Sequence, residues 1–166
     1  MILATHAIVG AAAGRLFDNP WLSFAAGYVS HFALDAIPHS QYSLSSRTYK
    51  EGDRLSDDMK IDRRFFGDLL LIGLDCVGGF LLAIFIFQGG LGYNAATLSL
   101  LAGATGGVFP DFLQFVYFKI RREPFTTLQK IHNRVHAKED LHGLVGLASQ
   151  ITVIVLAVMI SKLIMR

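Results

Sequence analysis

FGDLLLIGLDCVGGFLLAIFIF, residues 66–87, is a run of 22 residues whose only ionisable side chains are Asp68, Asp75 and Cys76. Crossing the hydrocarbon core of a bilayer takes about 20 predominantly apolar residues, so this run predicts a membrane-spanning helix. Working outward, residues 93–118 and 143–165 are long enough to do the same. Residues 2–17 and 21–37 are apolar but shorter, which predicts tilted, shallow or half-spanning helices. The expected fold is therefore all-α: a polytopic membrane bundle of about four to five apolar helices, forming one domain over residues 1–166.

Composition supports that class. Hydrophobic residues make up 52% of the chain and charged residues 17%, against about 25% charged in soluble domains. The single cysteine, Cys76, excludes an internal disulfide and a cysteine-rich zinc site. Within an apolar segment it reads as a small buried residue. The N-terminus has no basic region ahead of its apolar run, which predicts a retained helix rather than a cleaved leader.

Turn signals divide the segments. Asp18-Asn19-Pro20 and Gln88-Gly89-Gly90-Leu91-Gly92 read as tight connections, while residues 40–65 and 119–142 are long polar loops. Alternating crossings put the N-terminus and both long loops on one side. Those loops carry twelve of the fifteen Lys and Arg residues: Arg47, Lys50, Arg54, Lys60, Arg63, Arg64, Lys119, Arg121, Arg122, Lys130, Arg134 and Lys138. An excess of basic residues marks the cytoplasmic side. The expected setting is a cell (inner) membrane, multi-pass, with membrane lipids as partners and no nucleic acid. The first loop reads as a solvated connector in preference to an interfacial helix or lid.

A short repeat links two segments. Leu22-Ser23-Phe24-Ala25-Ala26-Gly27 leads to Asp35 as Leu98-Ser99-Leu100-Leu101-Ala102-Gly103 leads to Asp111. It suggests two related helical hairpins, each delivering one Asp to the same surface, followed by a C-terminal helix. Gly10 and Gly14, and Gly103 and Gly107, have the Gly-x-x-x-Gly spacing of closely packed membrane helices.

The same topology collects ionisable residues at the cytoplasmic end. His6 starts the first segment, and His31, Asp35 and His39 end the second. Asp68 opens the third, Asp111 lies near the end of the fourth after Phe109-Pro110, and His132 and His136 sit in the second loop. Charges at membrane depth need partners. His31 and Asp35, and His132 and His136, are spaced i and i+4, one turn apart on a helix face. Imidazoles with carboxylates suit a divalent metal, zinc first and manganese or iron next. The ligand pool is His6, His31, Asp35, Asp111, His132 and His136; Asp68 or His39 would complete a second site or act as general base. Asp111 is expected to project from a helix break at Pro110. Asp75 stands outside the pool as a supporting or packed polar group, and His142 reads as a helix-boundary residue. No serine nucleophile elbow, phosphate-binding loop or dinucleotide fingerprint is present.

Thr5-His6, Gly10, Phe109-Pro110-Asp111 and the pair His132 and His136, taken in order, resemble the YdjM-type family. Its members are small membrane-bound proteins regarded as metal-dependent hydrolases. The stretch from Ser30 to His39 resembles the His-x-x-x-Asp helix of zinc-dependent phospholipase C. The resemblance implies a metal-dependent hydrolase; with the site at the cytoplasmic membrane face, a phosphate ester, such as one in a lipid headgroup, is the expected substrate class. The alternative is a small transporter or scaffold whose His and Asp residues pair internally or line a cavity.

Overall fold

The protein is described by a computed structural model covering residues 1–50, 53–88, 94–137 and 141–165. The chain runs α1 (Leu3–Gly14), α2 (Pro20–Asp35), β1 (Arg47–Thr48), a 3-10 turn (Arg54–Ser56), β2 (Asp58–Met59), α3 (Arg63–Gln88), α4 (Ala95–Ile120), α5 (Phe125–Val135) and α6 (Gly143–Ile164). The fold is an all-α bundle. Helices α3, α4 and α6 are each long and apolar enough to cross a membrane, and the chain is a membrane protein on that reading. Most of the expected Gly-rich turn after Gln88, and the basic residue Lys138, lie outside the described residues.

The two short segments are short helices. At 1.5 Å per residue, the 12 residues of α1 span about 18 Å and the 16 of α2 about 24 Å, less than the roughly 30 Å of a hydrocarbon core. Asn19 sets the turn between them. Its side chain accepts hydrogen bonds from the Trp21 and Leu22 N–H groups, and Pro20 occupies the first helical turn, where its missing N–H costs nothing. The far ends of the pair meet again, because the Met1 amine lies 3.1 Å from Asp35 Oδ1. The α1–α2 pair is a helical hairpin packed into the bundle against α4.

Glycine decides how deep it sinks. A Cβ on Gly10 would lie 2.5 Å from the Gly103 carbonyl oxygen, and one on Gly14 would lie 2.5 Å from the Gly103 Cα. Gly27 of α2 meets Gly103 as well, and Gly107 meets the backbone of His6. Both Gly-x-x-x-Gly pairs thus face each other, and α1, α2 and α4 touch backbone to backbone. Ala7, Ile8 and Ala11 of α1 are packed with Ala83 and Ile84 of α3 and Leu100 and Ala104 of α4. Helices α3 and α6 form the outer wall, with Leu70, Leu74, Phe85, Leu144 and Leu163 exposed.

Two expectations change. Helix α4 runs unbroken through Pro110. A proline removes one bond of the helical ladder, and His31 Nδ1, 2.8 Å from the Gly107 carbonyl, bonds the carbonyl next to the gap. The first polar loop is a fastened structure rather than a free connector. Its strands pair Arg47 with Met59 and Thr48 with Asp58, and Tyr117 and Arg121 of α4 donate to the Leu55 carbonyl at 2.8 and 3.0 Å.

Replacing Gly103 by Val forces side-chain atoms into the backbones of α1 and α2; overpacking of this kind costs about 1–3 kcal/mol and often more. The variant is expected to lose much of its thermal stability in detergent. Gly67→Ala, at a position with nothing within 4 Å of the added carbon, should be neutral or stabilising by under about 1 kcal/mol.

Candidate metal centre

Asp35 is the centre of the site. Its side chain is 2% exposed and lies at the last turn of α2. Oδ1 lies 3.2 Å from His6 Nε2 and 3.9 Å from His39 Nε2. Oδ2 lies 3.1 Å from His31 Nε2, 3.0 Å from His132 Nε2 and 4.0 Å from His136 Nε2. Asp111 Oδ1 completes the set, 3.9 Å from His31 Nε2 and 4.0 Å from His132 Nε2. Five imidazoles and two carboxylates from α1, α2, α4, α5 and the loop after α2 therefore converge on one point.

Each contributor is delivered by a local feature. The i, i+4 spacing puts His31 and Asp35 on one face of α2, and the backbone contact of Gly107 with His6 holds α1 against α4 at that level. His132 is carried by α5, an amphipathic helix that lays its buried face, with Gln129, over the cluster. Pro38 ends α2, so His39 turns back instead of continuing the helix. The Ala137 N–H donates to the Asp35 carbonyl at 2.7 Å and pins the second loop beside it.

The histidines are oriented by carbonyls. His31 Nδ1 faces the Gly107 oxygen at 2.8 Å, His39 Nδ1 the Ile37 oxygen at 2.6 Å and His136 Nδ1 the Ala137 oxygen at 3.0 Å. A carbonyl only accepts, so Nδ1 is assigned the proton, and in the neutral ring Nε2 keeps the lone pair. This is the second-shell arrangement that prepares imidazole for metal ligation. Burial holds His39 and His136 below the ordinary imidazole range, which keeps both in the neutral, ligating form.

Three buried imidazole nitrogens, His6 Nδ1, His6 Nε2 and His31 Nε2, have no hydrogen-bond partner, although two of these atoms lie within 3.2 Å of Asp35 oxygens. Buried polar atoms are almost always partnered. Three overlapping groups of donor atoms lie within 4.8 Å of one another: His6, His31 and Asp111; His31, Asp35 and His132; and Asp35, His39 and His136. These groups can hold a metal ion.

All six residues of the predicted ligand pool are brought together, and His39 joins them as a further donor. Asp68 does not. Its carboxylate accepts from the Ser45 and Ser46 N–H groups at 3.2 and 2.7 Å and from the Ser46 hydroxyl at 2.6 Å, so it fastens the first loop to α3. Asp75 proves to be a support: its Oδ2 accepts from the Ala4 N–H at 2.8 Å and from the Tyr42 hydroxyl at 2.5 Å, while the Tyr42 oxygen accepts from the Leu3 N–H at 2.8 Å. Together they satisfy the unpaired donors at the start of α1, the helix that carries His6. His142 sits at the N-cap of α6, as expected of a boundary residue.

Sequence reading missed Tyr42 and Gln150. Gln150 accepts from the Ile2 N–H and the Thr5 hydroxyl and donates to Ser40. It is the only amide side chain within α6, a signal that was available; Tyr42, in a polar loop, gave none. No protein-family model, curated protein or solved structure matches the chain.

Substituting Asp35 by Asn, or His31 by Ala, is expected to lower metal affinity by more than the 10- to 100-fold, roughly, that loss of a supporting partner costs, read by mass spectrometry of the metal bound to purified protein. Asp68→Ala should leave metal content unchanged. Asp75→Ala leaves the Ala4 N–H unpaired and should destabilise the fold by about 1–3 kcal/mol, seen as a lower unfolding temperature.

Proposed function

We propose that this chain is a membrane-bound, metal-dependent hydrolase of phosphate esters, using zinc at the cytoplasmic face of a cell membrane. The observation that carries the reading is Asp35, whose two oxygens are each faced by imidazole Nε2 atoms at 3.0–4.0 Å. Asp35 and the imidazoles that face its two oxygens would hold a divalent ion there. Imidazole and carboxylate donors without cysteine suit zinc, with manganese or iron next. The resemblance to the YdjM-type family supports the same class, and the basic residues of both long loops support the orientation.

When bound, zinc supplies Lewis acidity and lowers the pKa of a bound water to about 7. The chain's own groups divide the remaining work. Asp35, His6 and His31 are sealed from solvent and hold position. Asp111 is 29% exposed and borders a cavity that also reaches His132 and His136. Its carboxylate is therefore the one able to meet both substrate and water, to orient the attacking water and to receive its proton.

The deciding experiment measures metal per chain in detergent-purified protein, together with hydrolysis of p-nitrophenyl phosphate and a phosphodiester analogue. Near-stoichiometric zinc, and turnover lost in both Asp35→Asn and Asp111→Asn, is expected. A folded wild type that takes up no divalent metal after reconstitution would leave internal pairing of the His and Asp residues as their role and sink the enzyme.

A further inference from the structure

The cavity beside the cluster extends well beyond it. Its volume is about 930 Å3, near the top of the roughly 300–1,000 Å3 typical of small-molecule sites. Its deep wall is apolar and lies at membrane depth, formed by Leu69, Ile72, Gly73 and Cys76 on α3 and by Phe112 and Phe115 on α4. Its outer rim belongs to the first loop and includes Arg47, Lys50 and Arg54. Asp111, His132 and His136 line it between these two zones.

The shape follows from how α3 packs. Apart from Asp68, the buried residues of α3 are Gly79, Ala83 and Ile84, all in its second half. Gly79 lies tightly on Ala4 of α1. In the first half the Phe65 ring stacks on Phe115 of α4. Leu69 and Phe112 line the cavity and are 51% and 57% exposed, so it opens sideways between two membrane-depth helices. Gly73 is in the middle of the α3 wall, and a carbon added there meets nothing within 4 Å. Cys76 is half-buried and lines the cavity, not buried as expected from sequence. A soluble substrate has no use for an apolar slot opening onto lipid.

We infer that the cavity between α3 and α4 takes an acyl chain of an anionic membrane phospholipid, placing its phosphate between the Arg47, Lys50 and Arg54 rim and the Asp35–Asp111 cluster. This deepens the hydrolase reading and rests on it for the fate of the phosphate. The rim supports an anionic headgroup. Among the described residues that line the rim, Arg47, Lys50 and Arg54 stand with one carboxylate, Asp57, which is engaged by Arg47 at 3.4 Å and by the Lys50 N–H at 2.9 Å. Basic residues at a membrane surface attract anionic lipid, and the apolar wall below matches the chain.

The test uses the full chain, reconstituted with zinc, and native mass spectrometry in detergent with dioleoyl phosphatidic acid or dioleoyl phosphatidylcholine added. Metal content is measured on the same samples. Protection of Cys76 from a maleimide gives a second readout, slowing about tenfold when lipid is present at about ten times its dissociation constant. Wild type should retain phosphatidic acid in preference to phosphatidylcholine. Gly73→Leu, which fills the slot without a backbone clash, should lose the lipid while keeping its metal. Lys50→Ala/Arg54→Ala should lose the preference for the anionic lipid. Equal lipid retention in wild type and Gly73→Leu would overturn the inference, as would protection of Cys76 by glycerol 3-phosphate with no lipid bound. Lipid bound as expected to a wild type devoid of metal would uphold the slot and sink the hydrolase instead.

Discussion

Backbone-to-backbone contact between α1, α2 and α4 is the constraint on which everything else rests. Helices in lipid gain little from hiding apolar side chains from one another, because the surrounding chains are equally apolar. Close approach through small residues replaces that driving force. Gly10, Gly14 and Gly27 all press on Gly103, and Gly107 presses on the backbone of His6. These contacts set the height of α1 and α2 against α4 to within the size of a methyl group. At that height His6, His31, Asp35 and Asp111 share one level.

That level carries a heavy electrostatic load. A carboxylate taken from water to an apolar interior loses several kcal/mol, and leaving such a charge without its partner costs about 3–5 kcal/mol. Asp35 is offset here by the Met1 amine at 3.1 Å from Oδ1, and His132 Nε2 lies 3.0 Å from Oδ2. In the neutral ring His31 turns its Nε2 lone pair toward Oδ2 at 3.1 Å, and His6 Nε2 lies 3.2 Å from Oδ1. Lone pairs facing a carboxylate repel it unless a cation stands between them. The bundle thus holds its donors in groups that can hold a metal ion.

Around this rigid centre the packing is uneven in a useful way. The deep half of α3 is locked on α1, and its other half is tied by Asp68 gripping Ser45 and Ser46, by Asp75 bonded to Ala4 and Tyr42, and by the Phe65 and Phe115 rings. The gap that results borders the cluster at Asp111, His132 and His136. The polar loop above it is itself tied down by Tyr117, Lys119 and Arg121 of α4. Membrane depth, cationic rim and donor cluster are therefore stacked along one wall of the bundle.

The sequence by itself determined the class of fold and most of the site's membership. Apolar run length separates spanning from short helices whatever the neighbours do, and the burial cost of ionisable groups marks His6, His31, Asp35, Asp111, His132 and His136 as residues needing partners. The glycine spacing announced close packing as well. Tertiary structure alone decided which partners they found. Asp68 and Asp111 look alike in the chain, each a lone carboxylate in an apolar segment, yet one fastens a loop and the other faces the cluster, because that depends on which helix lies opposite. Pro110 likewise reads as a break, and only the packing of α2, with His31 bonded to the Gly107 carbonyl, keeps α4 continuous there. Periodicity and composition are properties of one segment, whereas convergence of donors depends on the relative placement of five.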